Sequence, residues 1–300
     1  MTEGFLYNTI YLIESLDSSE EKSGTRLHDV IKNFEFKYPG VKTYFKEPNT
    51  KSEFLEVLCV ICKFVKDYNH IPIIHLEAHG NKDGIRCSNN EFITWNELYP
   101  YFIEINIKLK NSLIVTTSIC FGTHFYFNVD FKKPAPFFTL ISSVGKINYG
   151  IILESYDKFY NELLYTENLN NALKLIKQEF LRPTDNELLL EAFISYMFDD
   201  FIKFISDVPA LVNFSIIKGN MKISKKMKEH ILNNAYLYKL EELIKVLNNL
   251  WITFLMIDLY PDIKYRYKNT KDFFIENINS KIPDSQIRTL LVKEVLKQLE

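Results

Sequence analysis

The side chains best suited to chemistry in this chain of 300 residues are a histidine and a cysteine, each at the end of an apolar run. Ile73-Ile74-His75-Leu76-Glu77-Ala78-His79-Gly80 stops at His79 and a glycine, and Leu113-Ile114-Val115-Thr116-Thr117-Ser118-Ile119-Cys120-Phe121-Gly122 stops at Cys120. A thiol beside an imidazole is a nucleophile beside its base: the ring takes the S–H proton and the thiolate attacks an electrophilic carbonyl. The backbone N–H groups of Gly80 and Cys120 are candidates to hold the oxyanion that this attack creates, while His79 protonates the leaving amine.

For that chemistry the two runs must be neighbouring strands. Each is short, rich in β-branched residues and bounded by turn residues, as expected of strands covered on both faces. In an open parallel sheet the functional groups gather at the carboxyl ends of the strands, where His79 and Cys120 would then stand side by side. The preceding chain alternates in type. Tyr7 to Leu16 reads as a strand, Ser23 to Phe36 as a helix, Val41 to Phe45 as a strand, and Asn49 to Asn69 as a helix with apolar residues at helical spacing. Asn81-Lys82-Asp83-Gly84 is a turn signal, after which Ile85 to Phe92 can form a hairpin. Thr94 with Glu97 predicts a capping box for a helix reaching Leu109. Phe137 to Val144 reads as a further strand, followed by helices at Tyr156 to Leu164 and Leu169 to Phe180.

Strands alternating with helices predict an α/β fold with a mostly parallel sheet between two helical layers. From Thr184, read as a cap with Glu187, the patterns are helical: Asn186 to Ile205, Ser224 to Leu259, Asp272 to Ile278, and Gln286 to Leu299. The expected organisation is an α/β domain over 1–182 followed by an all-helical C-terminal region over 183–300. A net charge of -2 with interspersed signs gives no footprint for nucleic acid. No apolar run approaches the roughly 18 residues that cross a bilayer, and the first residues lack a leader pattern. The four cysteines, Cys59, Cys62, Cys87 and Cys120, fall at no disulfide-framework spacing, which points to a reducing, cytoplasmic setting.

Taken together, His79-Gly80, Asp83-Gly84-Ile85 and Ser118-Ile119-Cys120-Phe121-Gly122, in this order and spacing, resemble the caspase-like cysteine peptidases, the clan of caspases, metacaspases and bacterial CHAT peptidases. Tyr156 to Ala172 is similar to the end of a CHAT domain, and the resemblance covers roughly residues 5 to 182. It implies a caspase-like three-layer sandwich, a cysteine endopeptidase with Cys120 as nucleophile and His79 as base and acid, and Gly80 with Cys120 as oxyanion hole. No cofactor or metal is implied. Lys22-Ser23-Gly24-Thr25 stands where caspases carry an arginine for an acidic P1 side chain, so Lys22 is a candidate substrate-binding residue, with Arg26 as a second cation. Metacaspases, which cut after basic residues, place an aspartate where this chain has Ser118, a further candidate in substrate binding; together these lean to an acidic or neutral P1. The implied partners are a protein substrate and a regulatory protein docking on the helical region, and abundant Ile, Lys and Asn suggest a bacterial genome and a defence effector.

Other candidates have plainer readings. His75 is expected to be a core histidine, Cys59 and Cys62 packing residues of a helix despite their CxxC spacing, and His124 a loop residue. Glu77 either polarises a neighbour or caps the sheet. Two alternatives to a peptidase stand: a silent binding module or scaffold that keeps the fold, and a thiol hydrolase or acyltransferase acting on other bonds.

Overall fold

The computed structural model describes residues 6–37, 40–127, 129–176, 181–185, 191–192, 195–204, 207, 224–282, 288–289 and 292–293. Its contacts divide the chain into two compact units, one of residues 1–130 and 134–186, the other of 131–133 and 187–300.

The first unit is an α/β sandwich built on an eight-stranded, mostly parallel sheet. In chain order it runs β1 (Thr9–Ser15), α1 (Ser23–Lys37), β2 (Lys42–Lys46), α2 (Lys51–Tyr68), β3 (Pro72–Gly80), β4 (Gly84–Arg86), β5 (Phe92–Thr94) and α3 (Trp95–Lys108). There follow β6 (Ile114–Thr117), a short α4 (His124–Phe127), β7 (Thr139–Ser143), α5 (Tyr149–Thr166), α6 (Leu169–Lys174) and β8 (Leu181–Asp185). The sheet order is β2-β1-β3-β6-β7-β8, with the β4–β5 hairpin branching from β3.

Local sequence accounts for most of these elements. Every residue of β1 is buried, as is required of a strand covered on both faces. Its alternate residues Ile10 and Leu12 join Ile73, Ile114 and Ile141 in a core with Leu27 and Ile31 of α1 and Tyr156, Phe159, Tyr160 and Leu163 of α5. Helix α2 starts on a capping box between Thr50 and Glu53 and buries Phe54, Leu58, Ile61, Cys62 and Val65. Such side chains contribute about 2 kcal/mol each by leaving water. The capping box expected at Thr94 and Glu97 forms and opens α3.

Three expectations are corrected. Strand β6 ends at Thr117, so Cys120 lies in the turn beyond it rather than on the strand. Helix α5 begins at Tyr149, capped by Asn148, well before Tyr156. Thr184 caps no helix: it belongs to β8, which pairs antiparallel with β7 from Leu181↔Ser143 to Asp185↔Thr139. Pro183 in that segment argues against a strand, but β8 is the last strand in the order, where a residue without an N–H is tolerated. A boundary at 182 would cut this strand.

The second unit is helical in its described residues. A helix over Lys225–Asn249 continues as a π-helical turn over Leu250–Phe254. Leu240, Leu243, Leu247, Leu250 and Phe254 are buried along it at spacings of three and four, which keeps them on one face. A second helix spans Lys268–Lys281, where Lys281 donates to Ser195 Oγ at 2.8 Å and pairs with Asp199 at 2.8 Å. The expected helix Gln286 to Leu299 lies almost wholly outside the described residues, as does Glu187. Among the described residues no helix is long and apolar enough to cross a membrane.

Candidate active site

Strands β3 and β6 are parallel neighbours, in register from Ile73↔Ile114 to Leu76↔Thr117. The Ser118 N–H extends the ladder by donating to Leu76 O at 2.9 Å. His79 and Cys120 each lie three positions beyond the last matched pair, so both emerge from the carboxyl edge of the sheet at adjoining strands.

The glycine after the histidine is explained by the cysteine turn. A Cβ on Gly80 would stand 2.3 Å from Ile119 Cγ2 and 3.4 Å from Cys120 O, so only a glycine lets the two segments close together. Asn81 N–H donates to Gly84 O at 3.0 Å in the β3–β4 hairpin, and Gly80 pairs with Ile85. Hydrogen-bonded pairs alternate in an antiparallel ladder, so the Gly80 N–H points away from β4. The cysteine turn is closed by Gly122 N–H to Ile119 O at 3.1 Å, with Phe121 left-handed at φ 60° and its N–H donating to Gly145 O at 2.9 Å. A non-glycine residue there costs roughly 1 kcal/mol or more, strain that concentrates at ligand-facing turns. Among the described residues the Cys120 N–H has no acceptor, so this donor and that of Gly80 are both available to an oxyanion.

Cys120 is half-buried. The His79 side chain is 47% exposed, and its Nε2 lies 2.7 Å from Glu20 Oε1. Among the described residues no hydrogen bond joins the ring to the Cys120 thiol, and its Nδ1 has no partner. Partial burial raises the affinity of Glu20 for a proton, but the bonds from His79 and from the Asp17 amide outweigh it and hold the carboxyl below the usual value.

Directly behind this edge lies a buried polar cluster. His75 is fully buried, with Nδ1 at 2.7 Å from Thr116 Oγ1 and Nε2 at 3.2 Å from both Glu77 Oε1 and Ser118 Oγ. The Tyr160 hydroxyl joins the same group, hydrogen-bonded to Thr116 Oγ1 at 2.9 Å. Glu77 also accepts from Ser23 Oγ at 2.8 Å, and its register neighbour Glu14 accepts from Gly24 N–H at 2.8 Å and Thr25 Oγ1 at 2.8 Å. Two buried carboxylates thus receive the N-terminus of α1, where amides and helix dipole favour negative charge. Gly24 is needed at this junction, since a Cβ there would meet Glu14 Oε1 at 2.9 Å and Glu77 Cγ at 3.0 Å. Burial pushes the Glu14 carboxyl up, against the lowering effect of Thr25, Gly24 and Lys22; the charge of Glu77 adds to the rise.

The expected substrate-binding residues divide. Lys22 donates to Leu16 O at 3.0 Å and lies 3.8 Å from Glu14 and 3.6 Å from Glu47, so its charge is matched within the protein. The Ser118 hydroxyl belongs to the buried cluster. Arg26 is exposed, 5.7 Å above the Tyr149 ring, with no carboxylate ion pair among the described residues. His75 is the core histidine its position suggests, and Cys62 is a packing residue whose thiol burial pushes up to about 12. His124 lies on α4, edge-on to Phe121 and Phe127.

The sequence reading missed Glu20 and Glu14. Glu14 left a signal, a carboxylate inside an otherwise apolar strand that must find partners. Glu20 left none, being one acid in a polar loop. Among the described residues no group of three or more His, Cys, Asp or Glu could hold a metal ion. The chain matches no protein-family model and no curated protein.

Proposed function

We propose that the protein is a cysteine endopeptidase of the caspase-like kind, with Cys120 as nucleophile and His79 as general base and acid. The observation that carries this is the shared position of the two side chains at the carboxyl edge of β3 and β6, with the Gly80 backbone packed against the cysteine turn. In the reaction the S–H proton passes to His79, the sulfur bonds to the peptide carbonyl carbon, and the N–H groups of Gly80 and Cys120 receive the oxyanion. The C–N bond breaks as the ring returns the proton to the leaving amine, and water hydrolyses the thioester to free the acid and the thiol.

The substrate is a protein with an acidic or neutral P1 residue. Arg26 is better suited to meet an acidic side chain than Lys22, whose ammonium is already paired. The chain acts in the cytoplasm as a bacterial defence effector, and the helical C-terminal region, which carries no chemistry of its own, restrains the enzyme or docks a regulatory protein. A second reading, a silent scaffold, draws on the absence of a hydrogen bond between ring and thiol among the described residues, although such bonds are often long in unliganded sites.

The test is covalent labelling at pH 7 with a peptidyl chloromethylketone, located by peptide mass mapping. Cys120 is expected to be labelled, and His79→Ala to slow the labelling by about a hundredfold or more. Unchanged labelling of that variant removes His79 from the mechanism. A native protein inert to the reagent and to peptide libraries, with candidate partners added, establishes the scaffold.

A further inference from the structure

Among the described residues one charged group reaches the candidate base, and it comes from a loop that the sequence marks merely as polar. Glu20 lies between β1 and α1, and its carboxylate is held at both oxygens: Oε2 accepts from the Asp17 N–H at 3.0 Å, and Oε1 faces His79 Nε2 at 2.7 Å. The loop is itself braced, since Asp17 accepts from Ser19 N–H at 2.9 Å and Ser19 Oγ at 2.7 Å, and Glu20 N–H donates to Asp17 O at 3.1 Å. Its far end is tied down where α1 meets Glu14 and Glu77. An ionised carboxylate only accepts hydrogen bonds, so the pairing places a proton on Nε2. In the neutral ring Nδ1 is then the sole proton acceptor.

We propose that Glu20 is the positioning residue of the site, fixing His79 in the Nε2–H tautomer so that Nδ1 takes the Cys120 proton. This rests on the peptidase reading of His79 and Cys120. As the thiol loses its proton the ring becomes an imidazolium, and the carboxylate, already oriented by a backbone amide, balances the new charge with no reorganisation. When the leaving amine takes the proton from Nδ1, the ring returns to the same tautomer. Because the two side chains are 47% and 37% exposed, solvent screens the pair and its effect is smaller than that of a buried aspartate in the same role.

The test combines labelling rates with nitrogen NMR of the histidine rings in the full chain, His79 being assigned by its loss in His79→Ala. The native ring is expected to show the Nε2–H signature. Glu20→Ala is expected to lose that signature and to slow labelling of Cys120 about tenfold. Glu20→Gln keeps an acceptor oxygen without the charge and should fall between the two. Thermal unfolding of both variants is expected to match the native protein, because the residue is only half-buried and its pair with His79 is screened by solvent. Glu20→Ala labelled at the native rate, while His79→Ala is slow, overturns the role of Glu20 and leaves the dyad standing. Faster labelling of Glu20→Ala would make Glu20 a restraint on the ring and likewise overturns it. A native rate for His79→Ala removes the dyad and this proposal with it, whatever the NMR spectra show.

Discussion

Strand β3 carries two histidines four residues apart, each paired with a glutamate, and the two pairs have opposite surroundings. His75 with Glu77 is buried among Thr116, Ser118, Ser23 and Tyr160, and both ring nitrogens have partners. His79 with Glu20 stands at the exposed edge with one nitrogen taken and the other without a partner among the described residues. A buried polar group must be satisfied to be tolerated, which leaves it nothing to offer a ligand. An exposed ring held by a single bond keeps an acceptor for chemistry. The difference teaches that residue type and strand position do not separate a structural histidine from a candidate base, whereas its hydrogen-bond inventory does.

Truncating each ring in turn should separate the two sites most widely. His75→Ala leaves Glu77 and Thr116 short of a partner inside a cavity, and is expected to destabilise the α/β unit by about 3 kcal/mol, read by urea and thermal unfolding. His79→Ala should change stability by about 0.5 kcal/mol or less while abolishing function. Equal stability losses would mean that the two sites are of one kind.

Gly80→Ala tests whether the edge depends on close approach of the His79 and Cys120 segments. The added methyl group meets Ile119 Cγ2, so a loss of about 1–3 kcal/mol and slower labelling of Cys120 are expected. Ile119→Ala removes the colliding atom, and in the double variant the labelling rate should recover toward that of Ile119→Ala alone. Additive losses would show that the two segments are not coupled through this contact.

The smallest effect is expected from Glu14, at the base of the buried cluster. Its folded-state carboxyl is raised, so the stability that it contributes is fully present below the ordinary value of 4.5 and is lost as pH rises through the raised value. The difference in urea midpoint between the native protein and Glu14→Gln should therefore move against the native protein as pH rises above the ordinary carboxyl value. A difference independent of pH would show that Lys22 and the α1 amides already hold the carboxylate ionised.

Much of the α/β unit was legible because its signals are local. Thr94 with Glu97 announces a helix start within a single turn, the polar stretch from Asn49 marks another, and the apolar runs of β1, β3 and β6 announce buried strands from their own composition. Helix α5 was partly legible: its later turns carry the apolar spacing, while its start at Tyr149 depends on the Asn148 cap, which lies ahead of that pattern.

By itself the sequence determined the strand-and-helix alternation, the placement of His79 and Cys120 near the carboxyl ends of two strands, and the glycines that follow them. Those features follow from backbone propensity, capping and side-chain periodicity, which act within a few residues. Only the tertiary structure decided that Glu20 reaches His79, that Glu14 and Glu77 share the N-terminus of α1, and that Thr184 lies in a strand, Leu181–Asp185, at the end of the sheet order and not at a helix cap. Each joins segments far apart in the chain, and an acid in a polar loop or a proline-containing stretch has no partner until the fold supplies one.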